Sequence, residues 1–347
     1  MGPAERDIFF KRMFAFGIPK VIIFLVLLIS WMEDADDVKS DFQVIEYFSG
    51  CGRIAQLADY AGYQSVGFDL EYGIPKARQT GRRNAMDLNS NGGFVLAAKL
   101  ILRSRLDLLV AMFAICCSSF VPVNRATGSR DILVPEGNEH VVSVRKSNKL
   151  LSRSVILMVM VICAGGTICL ENPQNSVITL HERFVWFVKL LQSYSIPIFK
   201  ASFWMRKHLA LTWKRTWMWA NSKLIEQLDL GPLQPSERLT TVKTTKRTKG
   251  KDGKTKWQGN RNLKGTQQYT YRFARHMVEL FPKFLDSKPA RLLPVSEDKS
   301  VLQLFKECSF DERWDECCDL QDLLVYCRGS KRLRIPPGWR DVLPCEL

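Results

Sequence analysis

With 347 residues, 46% of them hydrophobic, the chain holds material for one large domain with substantial additions, and a composition too poor to bury a core is excluded. Fifty Lys and Arg stand against 35 Asp and Glu, a formal charge of +15, which favours a polyanionic partner such as nucleic acid or an anionic membrane face. Basicity kept only for solubility is the plain alternative. Ten cysteines are scattered along the chain rather than gathered into the framework of a small secreted domain, so they read as mostly free thiols in a reducing compartment.

In chain order, Arg6, Lys11, Arg12 and Lys20 precede the uncharged run VIIFLVLLISWM, Val21 to Met32. That charge order suits a signal sequence or short anchor, yet the run is shorter than the roughly 20 residues that span a bilayer. A targeting signal, a membrane anchor through residues 20–32 and a helix packed on the domain all stay open. From residue 42 short strand-like and longer helix-like segments alternate. This predicts an α/β fold, a Rossmann-like doubly wound and mostly parallel sheet with helices on both faces. Strands are expected at Gln43 to Phe48, Ser65 to Asp69, Leu106 to Ala111, Thr167 to Leu170, Ile198 to Trp204 and Trp217 to Ala220. Helices are expected at Arg53 to Ala61, Phe94 to Arg103, Leu150 to Ala164, His181 to Tyr194, Tyr269 to Phe284 and Asp311 to Cys327.

The segment Val155 to Leu170 is broken by Ala-Gly-Gly-Thr and reads as a helix followed by a buried central strand. Trp204, Trp213, Trp217 and Trp219 read as core residues because they fall on or beside predicted strands. Between Val242 and Gln258 the composition shifts to VKTTKRTKGKDGKTKWQ, expected to be a basic flexible insertion. The domain reading is therefore an N-terminal hydrophobic or targeting segment at 1–40, a Rossmann-type domain at 41–235, the basic insertion at 236–265 and a C-terminal helical extension at 266–347, forming a monomer.

The stretch VIEYFSGCGRIAQLADYAGY, Val44 to Tyr63, sets the turn Ser49-Gly50-Cys51-Gly52 between a strand and a helix. Such a turn aims backbone N–H groups and a helix N-terminus past the carboxyl edge of a sheet, and its small residues let a ligand approach the main chain. The third glycine of the dinucleotide fingerprint is missing. Asp69 ends the next strand, where a carboxylate accepts hydrogen bonds from ribose hydroxyls, so the pair suits an adenosine-containing ligand.

Glu46-Tyr47-Phe48-Ser49-Gly50-Cys51-Gly52 resembles the first motif of class I S-adenosylmethionine-dependent methyltransferases, in the F-[AS]-G-x-G form of DNA cytosine-C5 methyltransferases and related algal and dinoflagellate proteins. The resemblance implies S-adenosylmethionine as cofactor. Phe48, Ser49, Gly50 and Gly52 would line it, with Asp69 at the ribose and Asp87 near the adenine. It also gives two later stretches a role. The strand DLLVAMFAICCSSF, Asp107 to Phe120, delivers Cys116 and Cys117 to the same sheet edge. There the family carries Pro-Cys-Gln, whose cysteine attacks C6 of cytosine so that C5 can accept a methyl group, and Cys117 is the positional match. LENPQNS, Leu170 to Ser176, matches Glu-Asn-Val, which makes Glu171 the carboxylate that contacts N3 of a flipped base.

The departures are Cys116 for Pro, Ser118 for Gln and Pro173 for Val. The later Gln-x-Arg-x-Arg motif survives only as Thr212-Trp213-Lys214-Arg215-Thr216, where Arg215 could touch a base or phosphate. Lys246, Arg247, Lys249 and Lys251 lie where a target-recognition element would be inserted. Cations there could neutralise phosphates and nearby aromatics could stack on unpaired bases; a solvated loop or localisation signal is the alternative.

His140, His181, His208 and His276 form no metal or triad pattern, and Cys308, Cys317, Cys318 and Cys327 lack zinc-knuckle spacing. No metal is expected. The leading expectation is a methyltransferase-like protein acting on nucleic acid, DNA rather than RNA, nuclear or cytoplasmic. A nucleic-acid-binding protein of the same fold without turnover is the main alternative. A membrane-associated small-molecule methyltransferase is the other.

Overall fold

A computed structural model describes residues 1–34, 39–72, 85–121, 128–249, 255–287, 295, 298–309 and 318–343. Six strands form the main sheet: β1 (Val44–Tyr47), β2 (Ser65–Phe68), β3 (Val110–Phe113), β4 (Thr167–Pro173), β5 (Phe199–Trp204) and β6 (Arg215–Ala220), in the order β2-β1-β3-β4-β6-β5. The first four run parallel, while β6 enters antiparallel between β4 and β5. This is the mostly parallel, Rossmann-like sheet read from the sequence.

Its central strands are apolar on both sides, and alternate residues feed two separate cores. Val44, Val110, Met112 and Cys169 face one core, whereas Ile45, Tyr47, Ala111, Phe113, Ile168 and Leu170 face the other. A strand buried on both faces needs such apolar runs, interrupted here by Glu46 on β1 and by Glu171 and Asn172 at the end of β4, with period 2 deciding which core each side chain enters. The first face is covered by α3 (Arg53–Tyr60) and α9 (Tyr271–Asp286), which pack on each other. Over the second lie α4 (Asn91–Leu102), α5 (Val142–Cys163) and α6 (Glu182–Ser193). The remaining helices are α1 (Pro3–Ala15), α2 (Lys20–Ser30), the short α7 (Pro235–Leu239) and α8 (Arg261–Gly265), α10 (Val301–Glu307) and α11 (Cys318–Arg328).

The N-terminal apolar run forms a helix packed on the domain. Val21 through Ile29 are all at most 2% exposed, held between α4 and α11. A helix apolar all round must be buried on every side. Among the described residues no helix is long and apolar enough to cross a membrane. The expected C-terminal extension divides: α9 completes the cover of the sheet, whereas α10 and α11 enclose α1 and α2.

The basic insertion takes the form of a separate antiparallel hairpin, β7 (Thr245–Lys249) with β8 (Thr255–Gly259), Arg247 standing opposite Trp257. Threonines between the lysines favour the extended backbone. Strand β3 starts at Val110 rather than Leu106. Asp107 takes a left-handed φ of 61° and turns its carboxylate to Arg12, 2.7 Å away, so the chain straightens only afterwards. The tryptophan reading is corrected as well. Trp213 is 55% exposed and Trp204 and Trp217 are half-buried, so of the four only Trp219 packs on a core.

Candidate active site

At the carboxyl end of β1 the chain turns through three left-handed residues: Phe48 at φ 59°, Gly50 at 54° and Gly52 at 66°. Gly52 is the N-cap of α3. The glycines remove the Cβ clash that makes this region costly for other residues. A Cβ on Gly50 would meet nothing within 4 Å, so the main chain there is open to a ligand. Asp69 at the end of β2 braces the turn, one carboxylate oxygen accepting from the Gly50 N–H at 2.8 Å and the other from the Glu71 N–H at 2.7 Å. A carboxylate offers about four acceptor directions, so capacity remains for hydroxyl donors.

The same turn is partly covered. The Tyr72 hydroxyl bonds Ser49 Oγ at 2.7 Å and sits 2.5 and 2.7 Å from where a Cβ on Gly52 or Gly67 would be. An adenosyl ligand would therefore meet Tyr72 first. Asp87 accepts from the Asn89 N–H at 2.9 Å in the half-buried loop that leads through the Ser90 cap into α4.

Beneath the turn lies a group that the sequence reading left without a role. Glu46 on β1 is fully buried; one of its oxygens accepts from the Ala55 N–H at 2.9 Å, and the other has no partner among the described residues. Burial pushes its carboxyl up to about 8 against the opposing pull of the α3 N–H groups.

Cys117 opens a 3₁₀ turn, Cys117–Ser119, just past β3, and Glu171 stands near the end of β4. They come together. Both Glu171 and the Lys214 ammonium act electrostatically on the Cys117 thiol, which burial raises to about 11, Lys214 opposing and Glu171 adding to the rise. Glu171 is held from two sides, by Lys214 Nζ at 3.1 Å and by the Tyr269 hydroxyl, which donates at 3.3 Å. Burial alone would lower the Lys214 ammonium, but Glu171 and Cys117 carry it above its ordinary value. The Tyr269 hydroxyl is driven well up, by burial first and by Glu171 next. Asn172 donates to the Ile115 carbonyl at 3.4 Å, linking β4 to the segment that carries the cysteines.

The turn bearing Cys117 is braced from behind. Buried Arg130 donates to Ser119 Oγ at 3.0 Å and to Asn148 Oδ1 at 2.8 Å, and its guanidinium lies 4.1 Å from the Phe120 ring centroid. His181 contacts the same Asn148 oxygen at 3.2 Å, and burial lowers its imidazole to about 4. Neutral at ordinary pH, it serves as a packing partner.

Lys214 had only its place at the first arginine position of the Gln-x-Arg-x-Arg-like stretch, and Tyr269 had no local signal, to link them to Glu171. They lie 43 and 98 residues from it, and only the insertion of β6 beside β4 and the return of the chain into α9 bring them there. Of the residues read as nucleic-acid contacts, Arg215 is exposed on β6, and Lys246, Arg247 and Lys249 are exposed on β7. Lys251 lies outside the described residues. A cavity of about 640 Å³ opens at the opposite edge of the sheet, lined by residues that include Thr167, Phe199, Asn221 and Glu226, away from these groups.

No family model and no curated protein matches the chain. Among solved structures it is similar to the Dnmt2 methyltransferase of S. pombe at 11% identity and a TM-score of 0.32, over 55% of this chain and 56% of that one. The chain thus spans about half the length of that solved structure.

Proposed function

We propose that the protein is a methyltransferase-like enzyme that binds S-adenosylmethionine and acts on nucleic acid, DNA cytosine in particular. One observation carries this reading: the carboxyl edges of β1, β2, β3 and β4 gather the open turn at Gly50 with Asp69, the Cys117 thiol and the Glu171 carboxylate. Ligands of open α/β sheets bind at that edge. The residues present fit the cofactor. Gly50 admits it to the main chain, Asp69 keeps acceptor capacity for ribose hydroxyls, and Asp87 lies in the loop before α4. When bound, the cofactor supplies an electrophilic methyl group.

The protein's own part is to place a nucleophile and to govern its proton. Cys117 is protonated at neutral pH, because its thiol sits at about 11. Reaction at C6 of a cytosine requires that proton to leave, and the Lys214 ammonium is the charge that favours the thiolate. Glu171 would face the base once Lys214 and Tyr269 yield one of its oxygens. Calorimetry with S-adenosylmethionine tests the reading: binding is expected in the intact protein and weakened in Asp69→Ala, and absence of binding to the intact protein removes it. Trapping on 5-fluorocytosine DNA tests the finer step, with an adduct expected that Cys117→Ala abolishes.

A second reading, a nucleic-acid-binding protein without turnover, is favoured by the same high thiol and by the engagement of Glu171 on both oxygens. Cofactor binding without any trapped adduct would select it.

A further inference from the structure

The outward face of the β5–β6 ribbon carries an alternation of cations and aromatic rings. Pairing sets Lys200 beside Trp219, Ser202 beside Trp217 and Trp204 beside Arg215, all on the side opposite Ala201, Phe203, Met218 and Ala220, which are buried in the core under α9. Helix α6 covers one end of this face, where Phe184 meets Trp219 edge-on at 5.7 Å. Beyond it Lys200 and Arg215 are exposed and Ser202, Trp204 and Trp217 are half-buried.

The cations are laid on the rings. Lys200 Nζ is 3.5 Å from the Trp217 centroid and 5.3 Å from that of Trp219. The Arg215 guanidinium is 5.0 Å from the Trp204 centroid, and its Nε donates to Ser202 Oγ at 3.1 Å. No ion pair to a carboxylate engages Lys200 or Arg215 among the described residues.

We propose that this face is a stacking platform for the unpaired bases of a single-stranded nucleic acid. Successive side chains on one face of a strand are about 7 Å apart, so rings and positive charges alternate over a short distance. Bases would stack on the arginine plane and on the tryptophan rings that Lys200 and Arg215 uncover as they move off to meet phosphates. An acidic polypeptide would use the cations and leave the rings idle; a duplex would present base faces already stacked. The net charge of +15 draws any such polyanion in. The inference deepens the nucleic-acid part of the proposed function but needs neither cofactor nor turnover.

Fluorescence polarisation of a labelled oligo-thymidine strand, titrated with the full chain in the absence of cofactor, tests it. Trp217→Ala and Trp204→Ala should each weaken binding roughly tenfold, the loss of one stacked base. Trp217→Phe should keep most of the affinity. Lys200→Glu, a change at an exposed position, should weaken binding and flatten its salt dependence, which keeps the test open even if a tryptophan variant fails to fold. Unchanged affinity in Lys200→Glu, or in folded Trp217→Ala, overturns the proposal. So does duplex binding as tight as the single strand, or equal competition by poly-glutamate. Because no cofactor is present, a failure of S-adenosylmethionine binding leaves this outcome untouched.

Discussion

Two residues decide how the candidate site behaves with pH. Glu171 raises the Cys117 thiol while Lys214 lowers it. Glu171→Gln removes the charge that opposes ionisation and leaves the lysine beside the sulfur. Alkylation of Cys117 near pH 8, followed on its own peptide by mass spectrometry, should therefore speed up by roughly threefold to tenfold, even though the same change would abolish cytosine chemistry. Slower labelling would mean that Glu171 helps the thiolate. Glu46 has the opposite interest. Its carboxyl is held at about 8 against an ordinary value of 4.5, so the folded protein keeps a proton that the unfolded chain has already released. Between those two values folding becomes less favourable as pH rises. Thermal midpoints of the parent should decline from pH 5 to pH 8, and those of Glu46→Gln should decline less. Parallel curves would show that the buried acid is ionised without cost.

At the scale of elements, the second helical layer is pinned by a single side chain. Arg153 on α5 is fully buried. It donates to the Leu88 and Ser90 carbonyls at 2.8 and 2.7 Å, to Asn91 Oδ1 at 2.7 Å and to Asp319 on α11 at 2.8 and 3.0 Å. It joins the start of α4 to α11, and α11 in turn covers α2. Burial alone would raise the Asp319 carboxyl, but Arg153 and Lys149 hold it below its ordinary value. Arg153→Met leaves those carbonyls and most of that charge without a partner. A loss of about 3 to 5 kcal/mol is expected in denaturant titration, with part regained in the double variant Arg153→Met, Asp319→Leu. No recovery in the double variant would locate the loss in the carbonyls instead.

Across the whole molecule the excess positive charge has at least two outlets, the β7–β8 hairpin and the β5–β6 face. The hairpin is tied to the site through its neighbours: Val242 N–H donates to the Leu211 carbonyl at 2.9 Å, a few residues before Lys214, and the chain beyond β8 runs on to Tyr269. If Lys246 and Arg247 contact phosphates, the slope of log affinity against log salt on single-stranded DNA should fall by about one for each lysine or arginine replaced by alanine. An unchanged slope would make the hairpin a bystander.

Much of this architecture was legible in the residues themselves. Two-sided apolar strands, the glycine turn after Tyr47 and the Ala-Gly-Gly-Thr break after α5 are written in local spacing, and they predicted the sheet, its carboxyl-edge turn and most helix ends, although α5 begins at Val142, eight residues before the expected Leu150. The hairpin was not among these, because lysine-rich composition pointed to a flexible insertion and outweighed the strand preference of the interleaved threonines. What only tertiary structure decided is which distant groups share a site or a core. Nine consecutive apolar residues in α2, Val21 to Ile29, do not say which elements will cover them; α4 and α11 do. Nothing near Tyr269 announces Glu171, and the motif remnant around Lys214 names no partner, because a carboxylate meets its partners through strand order and helix return, and those are fixed by the burial of both sheet faces at once.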